Sequence, residues 1–185
     1  EVTHFSKEIK EKFEKFENKD VSISGRIISL RKMGKASFFN VQDKNSKIQI
    51  YIKKDLIGED SYELFKLLDI GDIVGINGKV FKTKTKEVSI KCYKILLLSK
   101  SIRPLPGNKE KDGEVFHAFA DKEQRYRHRY LDLIVNPEIK DDFTNRSKII
   151  SSLRNYLDKN NYLEVETPVL QPLYGGASAK PFKTK

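Results

Sequence analysis

The sequence has 185 residues, 38% of them hydrophobic and 34% charged, with Lys+Arg 36 against Asp+Glu 26 and a net charge of +10. This supports one or two folded domains and favours a polyanionic partner, because basic side chains that neutralise phosphates release condensed counterions. The lone Cys92 excludes an internal disulfide, the scattered His4, His117 and His128 lack metal-ligand spacing, and no stretch approaches the roughly 20 apolar residues of a membrane span. With no signal peptide opening the chain, a cytoplasmic protein is expected.

Phe5, Ile9, Phe13 and Phe16 recur at helical spacing, so Ser6 to Phe16 is predicted as one amphipathic helix that covers part of the next domain. From Asp20 the period changes. Val21–Leu30, Ala36–Asp43, Lys47–Ile52, Ile73–Val80 and Val88–Leu98 are rich in β-branched and aromatic residues, with turn signals at Met33-Gly34-Lys35, Asp43–Ser46 and Thr83–Glu87. A short helix is predicted over Ser61–Leu68. Three strands, a helix and two strands is the order of a five-stranded OB-fold β-barrel.

Ile102–Gly107 is a proline-bearing connector that the polar run Asn108–Glu114 extends. Asp121-Lys122-Glu123-Gln124 has the form of a capping box opening a helix over Glu123–Leu133. Asn136-Pro137 is read as its end. A second helix runs from about Asp142 to Lys159, with Asn160-Asn161 as its C-cap. The expected segments are an N-terminal helix over 1–19, the barrel over 20–102, a linker and connecting helix over 103–139, and the α+β opening of another domain over 140–185.

Alternation divides strands two and three into two faces. Phe39 and Val41, with Ile48, Ile50 and Ile52, form the core face. Phe38, Asn40 and Gln42 then stand opposite Lys47, Gln49 and Tyr51 on the other, and the turn between them sets Phe38 near Tyr51 and Asn40 near Gln49. Aromatic rings stack bases and amides read base edges, so this face suits single-stranded nucleic acid; the competing use is to be covered by the N-terminal helix. Arg31 and Lys32 end the first strand, and Lys82, Lys84 and Lys86 line the loop between strands four and five. Lys32, Lys82 and Lys84 are candidate phosphate contacts, although lysines in such a loop are usually no more than a solvated surface.

Several stretches, taken together and in order, resemble the class II lysyl-tRNA synthetases. They are Arg31–Phe38 (RKMGKASF), Phe81–Thr85 (FKTKT), Arg103–Pro106 (RPLP) and Arg125–Leu133 (RYRHRYLDL), then Tyr162–Pro168 (YLEVETP), which is similar to motif 1 of class II, and Gly175–Phe182 (GGASAKPF). The resemblance implies an anticodon-binding OB domain followed by a mixed catalytic domain that activates lysine with ATP and Mg2+ and transfers it to lysine tRNA as a homodimer. It assigns anticodon contacts to Arg31, Phe38, Gln49 and Glu87, amino-acid contacts to Gly175, Gly176 and Ala177, and the dimer interface to Pro168. Lys180 stands where the family more usually has arginine. Motifs 2 and 3, which hold ATP and metal in the family, are absent from these 185 residues, so this segment alone is expected to bind neither and to be inactive. Two alternatives stand beside this reading: an aspartyl- or asparaginyl-tRNA synthetase segment, and a non-enzymatic OB module that binds single-stranded nucleic acid.

Overall fold

The change of period at Asp20 marks the first strand in the computed structural model, which describes residues 1–34, 36–44, 46–106, 109–111, 114–116 and 119–168. Ahead of it lie α1 (Ser6–Glu11) and α2 (Phe13–Phe16). The single predicted helix is broken at Lys12, whose φ of −114° and ψ of 39° are not helical. Ile9 and Phe16 are both buried in the barrel core on either side of this break.

The barrel is built from β1 (Asp20–Met33), β2 (Ala36–Gln42) and β3 (Lys47–Lys53), two helices, α3 (Lys54–Ile57) and α4 (Glu59–Lys66), then β4 (Ile73–Lys82) and β5 (Val88–Ser99). Its strands close in the order β1-β2-β3-β5-β4. All pairings are antiparallel except β3 with β5, a short parallel ladder over Gln49↔Ser89, Ile50↔Ile90 and Tyr51↔Lys91. The long β1 serves both neighbours, pairing with β4 through its first half and with β2 through its second. It turns between them beside Gly25, where a Cβ would sit 2.4 Å from the Gln42 carbonyl oxygen. Any side chain there would force the strands apart.

Burial along β2 and β3 alternates residue by residue, as a sheet with one face on the core requires. Phe39, Val41, Ile48, Ile50 and Ile52 face inward, and Ile76 and Ile90 meet them from β4 and β5. Each such side chain contributes about 1.5–3 kcal/mol by leaving water. Two helical elements plug opposite ends of β2. At the Gln42 end the Ser6 amide donates to the Asp43 carboxylate at 2.5 Å. At the Ala36 end α4 inserts Tyr62 and Phe65, with the Phe65 ring 5.5 Å from that of Phe39, and the Tyr62 hydroxyl donates to the Gly34 carbonyl. Cys92 is enclosed in the same core, and burial pushes its thiol up to about 12, so it carries no thiolate chemistry.

Asp72 ties off the barrel before β4. Its fully buried carboxylate accepts from the amides of Asp69 (2.9 Å) and Ser101 (2.7 Å) and from the Lys100 ammonium (2.8 Å). Burial alone would push this carboxyl up. Lys100 and the two amides outweigh it and hold the carboxyl below the usual range.

The run read as a polar linker contains a small antiparallel pair, β6 (Lys109–Lys111) and β7 (Glu114–Phe116). The chain divides into two compact units, Glu1–Phe119 and Ala120–Lys185.

In the second unit, the Asp121 carboxylate accepts from the Gln124 amide at 2.8 Å, as the capping signal predicted. The helix it opens is two helices rather than one, α5 (Lys122–Arg127) and α6 (Arg129–Val135), broken at His128. The break serves Asp132, which is fully buried and takes hydrogen bonds from Arg125, Arg129 and Asn136. In a straight helix the seven-residue step from Arg125 to Asp132 would rise about 10.5 Å. Burial pushes the Asp132 carboxyl up, but Asn136, Arg125 and Arg129 reverse this and hold it below its ordinary value.

The preceding helix ends at Asn136-Pro137 as expected, but the last helix, α7 (Pro137–Lys159), starts five residues earlier than predicted, because Pro137 also occupies its first turn. It stops as expected at Asn160-Asn161. Asn161 has φ +63°, and the amides of Asn161 and Tyr162 return to the carbonyls of Asp158 and Leu157. Among the described residues no helix is long and apolar enough to cross a membrane.

Candidate nucleic-acid interface

The outer face of the barrel carries two adjacent cross-strand rows, each set by the register. One runs Ser29↔Asn40↔Gln49↔Ser89↔Phe81, and the other Arg31↔Phe38↔Tyr51↔Lys91↔Lys79. The hairpin of β2 and β3 thus makes the two pairings that the sequence predicted, Phe38 with Tyr51 and Asn40 with Gln49. The Phe38 and Tyr51 ring centroids are 5.0 Å apart, and the Tyr51 and Phe81 centroids 6.1 Å, giving three aromatic rings in series. Phe38, Tyr51 and Phe81 are all partly exposed. The N-terminal helices commit Ile9 and Phe16 to the core.

Arg31 projects from the end of β1 beside Phe38, exposed and without an ion pair among the described residues. Lys79 and Lys91 extend the positive row at the far end, also exposed and unpaired among the described residues. Phe38 and Gln49 therefore stand on one surface flanked by cations. Glu87 lies two residues before Ser89, the β5 partner of Gln49, and its carboxylate is 3.7 Å from the Lys10 ammonium.

The three candidate phosphate lysines occupy different settings. Lys32 donates to the carbonyls of Lys66 (2.6 Å) and Leu68 (3.2 Å), capping the end of α4. Lys82 holds its ammonium 4.7 Å from the Phe13 ring centroid. Lys84 is exposed in the turn between β4 and β5, with no hydrogen bond or ion pair among the described residues.

Ser89 and Phe81 escaped the sequence reading. Both reach the face only through the parallel β3–β5 closure and its β4 neighbour, which are contacts between distant segments. Pro168 is exposed at the end of the described residues, and Gly175, Gly176, Ala177 and Lys180 lie outside them. No group of three or more His, Cys, Asp or Glu able to hold a metal ion occurs among the described residues.

Comparison with known proteins places both units. The profile of the OB-fold nucleic acid binding domain family matches residues 21–98, and that of the class II tRNA synthetases (D, K and N) matches residues 121–185. An OB-fold match followed in the sequence by a class II tRNA synthetase match sets the class of protein that the chain resembles. Within it, the chain is 50% identical over 184 residues to a lysine--tRNA ligase of Thermoanaerobacter pseudethanolicus, 48% to that of Moorella thermoacetica, and 49% over 191 residues to that of Bacillus cytotoxicus. Each alignment takes in 100% of this chain. Over its whole length the chain is thus similar to lysine--tRNA ligases, and it spans 36–37% of the length of these relatives.

Proposed function

We propose that this segment grips the anticodon of lysine tRNA, and that the protein of which it forms part attaches lysine to that tRNA with ATP. The observation that carries the first half is the outward Phe38–Tyr51 pair beside Asn40 and Gln49, on a closed barrel bordered by Arg31, Lys79 and Lys91. Stacking on each ring is worth about 1–3 kcal/mol per base, and amides supply donors and acceptors to base edges. Arg31, Phe38, Gln49 and Glu87 form the anticodon contacts, with Lys84 and Lys82 as the more accessible phosphate contacts and Lys32 the one already engaged. The alternative of a free nucleic-acid-binding barrel leaves the synthetase match over 121–185 without a use.

The same proposal gives the parent protein a cytoplasmic place and a dimer built around the segment that follows α7, with Pro168 in the interface. Gly175, Gly176 and Ala177 lie against the bound lysine. It also divides the chain at about residues 19, 102 and 139. ATP and Mg2+ belong to the parent enzyme.

The test is a titration of the chain with a hairpin RNA whose loop carries UUU, beside one carrying AAA. The UUU hairpin should bind more tightly, with a log–log salt slope near −3 for about four neutralised phosphates on single-stranded RNA. Equal affinity for both hairpins and a slope near zero would reject the reading. ATP titrated into the same chain should give no binding heat.

A further inference from the structure

A side-chain amide can read a base either way, because one end donates and the other accepts. On this face the choice is made by neighbouring serines. Gln49 Oε1 accepts from the Ser89 hydroxyl at 2.9 Å, while Asn40 Nδ2 donates to the Ser29 hydroxyl at 2.8 Å. The two amides are thus anchored by opposite ends. What remains is the Gln49 amino group, a donor, beside the Asn40 carbonyl, an acceptor, and neither has a hydrogen-bond partner among the described residues.

Ser89 is the firmer of the two anchors. It is fully buried, so water cannot replace a lost bond. Turning the Gln49 amide over would force the Ser89 proton onto its remaining acceptor, the Glu87 carbonyl, at 3.4 Å. That is a much poorer bond than the one given up.

Asn40 and Gln49 face each other across β2 and β3, where paired side chains stand about 4.5–5.5 Å apart. A single base edge therefore meets both. Uracil presents N3–H to the Asn40 carbonyl and O4 to the Gln49 amino group. Cytosine in the same pose presents a bare N3 to an acceptor and an N4 amino group to a donor, a mismatch at both atoms. Stacking on Phe38, one residue pair away, and the attachment of the base to its sugar oppose the shift that would re-pair it.

We propose that Ser89, with Ser29 as its counterpart, is a positioning residue that locks the Gln49 amide as an outward donor, so that the Asn40–Gln49 pair accepts uracil and rejects cytosine. The inference rests on the RNA-binding reading of this face given above.

The experiment measures dissociation constants of the chain for the UUU hairpin and for its three single U→C variants. The wild-type protein should disfavour cytosine at one position by about tenfold, within the range of a well-made pair of base contacts. In Ser89→Ala the amide is free to turn, and the ratio at that position should fall close to unity while the affinity for UUU changes little. A general loss of structure would instead weaken all four hairpins together. Gln49→Glu, at a partly exposed position, removes the donor outright and should shift the preference toward cytosine even if Ser89→Ala does not fold.

A wild-type protein indifferent to U→C at every position, or a folded Ser89→Ala or Gln49→Glu that keeps the wild-type ratio, would overturn the lock. Phe38→Ala measured in parallel separates the two levels. If it leaves UUU binding unchanged, the RNA reading of the face fails; if it weakens binding while the Ser89→Ala ratio stays at wild type, only the lock fails.

Discussion

Phe39 and Phe143 are both phenylalanines on amphipathic elements, yet Phe39 is 1% exposed and Phe143 is 46% exposed. Around Phe39 the barrel closes on itself, and its strands together with the helices at its ends wall the core. Along α7, Ile149, Leu153 and Tyr156 remain open, and no residue of that helix is buried among the described ones. Each unit has a buried carboxylate, Asp72 in the first and Asp132 in the second, but among the described residues only Asp72 is backed by a hydrophobic core. The first unit holds its fold with inward residues and leaves its outward residues for recognition. In the second, the apolar side of α7 has not been matched to a partner within the described residues.

The widest gap between the units should appear on truncating these two rings. Phe39→Ala removes a fully buried side chain and should lower the unfolding free energy of the barrel by about 3–5 kcal/mol. Phe143→Ala should change stability by less than about 1 kcal/mol. Denaturant unfolding of both variants checks this, and equal losses would erase the contrast.

A smaller effect comes from the carboxylates. Asp72→Ala strands the amides of Asp69 and Ser101, costing about 1–3 kcal/mol. The pH dependence follows from its lowered pKa. The folded barrel binds this proton less tightly than the unfolded chain does, so protonation favours unfolding. The stabilisation is complete at neutral pH and is lost as pH falls through the ordinary carboxylate range near about 4 and below. Unfolding curves between neutral and acid pH should converge for wild type and Asp72→Ala; a gap that stays constant would contradict the assignment.

The smallest effect sharpens the account of α7. Asn161 holds a left-handed conformation that glycine adopts freely, so Asn161→Gly should stabilise the helix end by about 0.5 kcal/mol and Asn161→Ala should weaken it. Helix melting followed by circular dichroism reads both.

These contrasts also show what the sequence could and could not disclose. The faces of β2 and β3 were legible because period two is a local property and a short turn fixes register, which is why Phe38 and Tyr51 could be paired in advance. The closure of β3 on β5 depends on segments some forty residues apart, as the Gln49↔Ser89 pair shows, and Ser89 went unseen with it. Helical periodicity found α1 and α5 but not the breaks at Lys12 and His128, since core geometry and the carboxylate of Asp132 decide those. The Pro137 signal was read as a stop when it was also a start. The roles of Gly175, Gly176 and Ala177 came from resemblance alone, and they fall outside the described residues.

The central claim is that recognition and stability are divided between adjacent residues of one strand. The most direct test titrates the UUU hairpin into wild type, Phe38→Ala and Phe39→Ala, and follows unfolding of the same three proteins. Phe38→Ala should lose about 1–3 kcal/mol of binding while its unfolding midpoint stays near wild type, and Phe39→Ala should lose stability first. The opposite outcome, with Phe38→Ala unfolding the barrel and Phe39→Ala remaining folded but unable to bind RNA, would contradict the account.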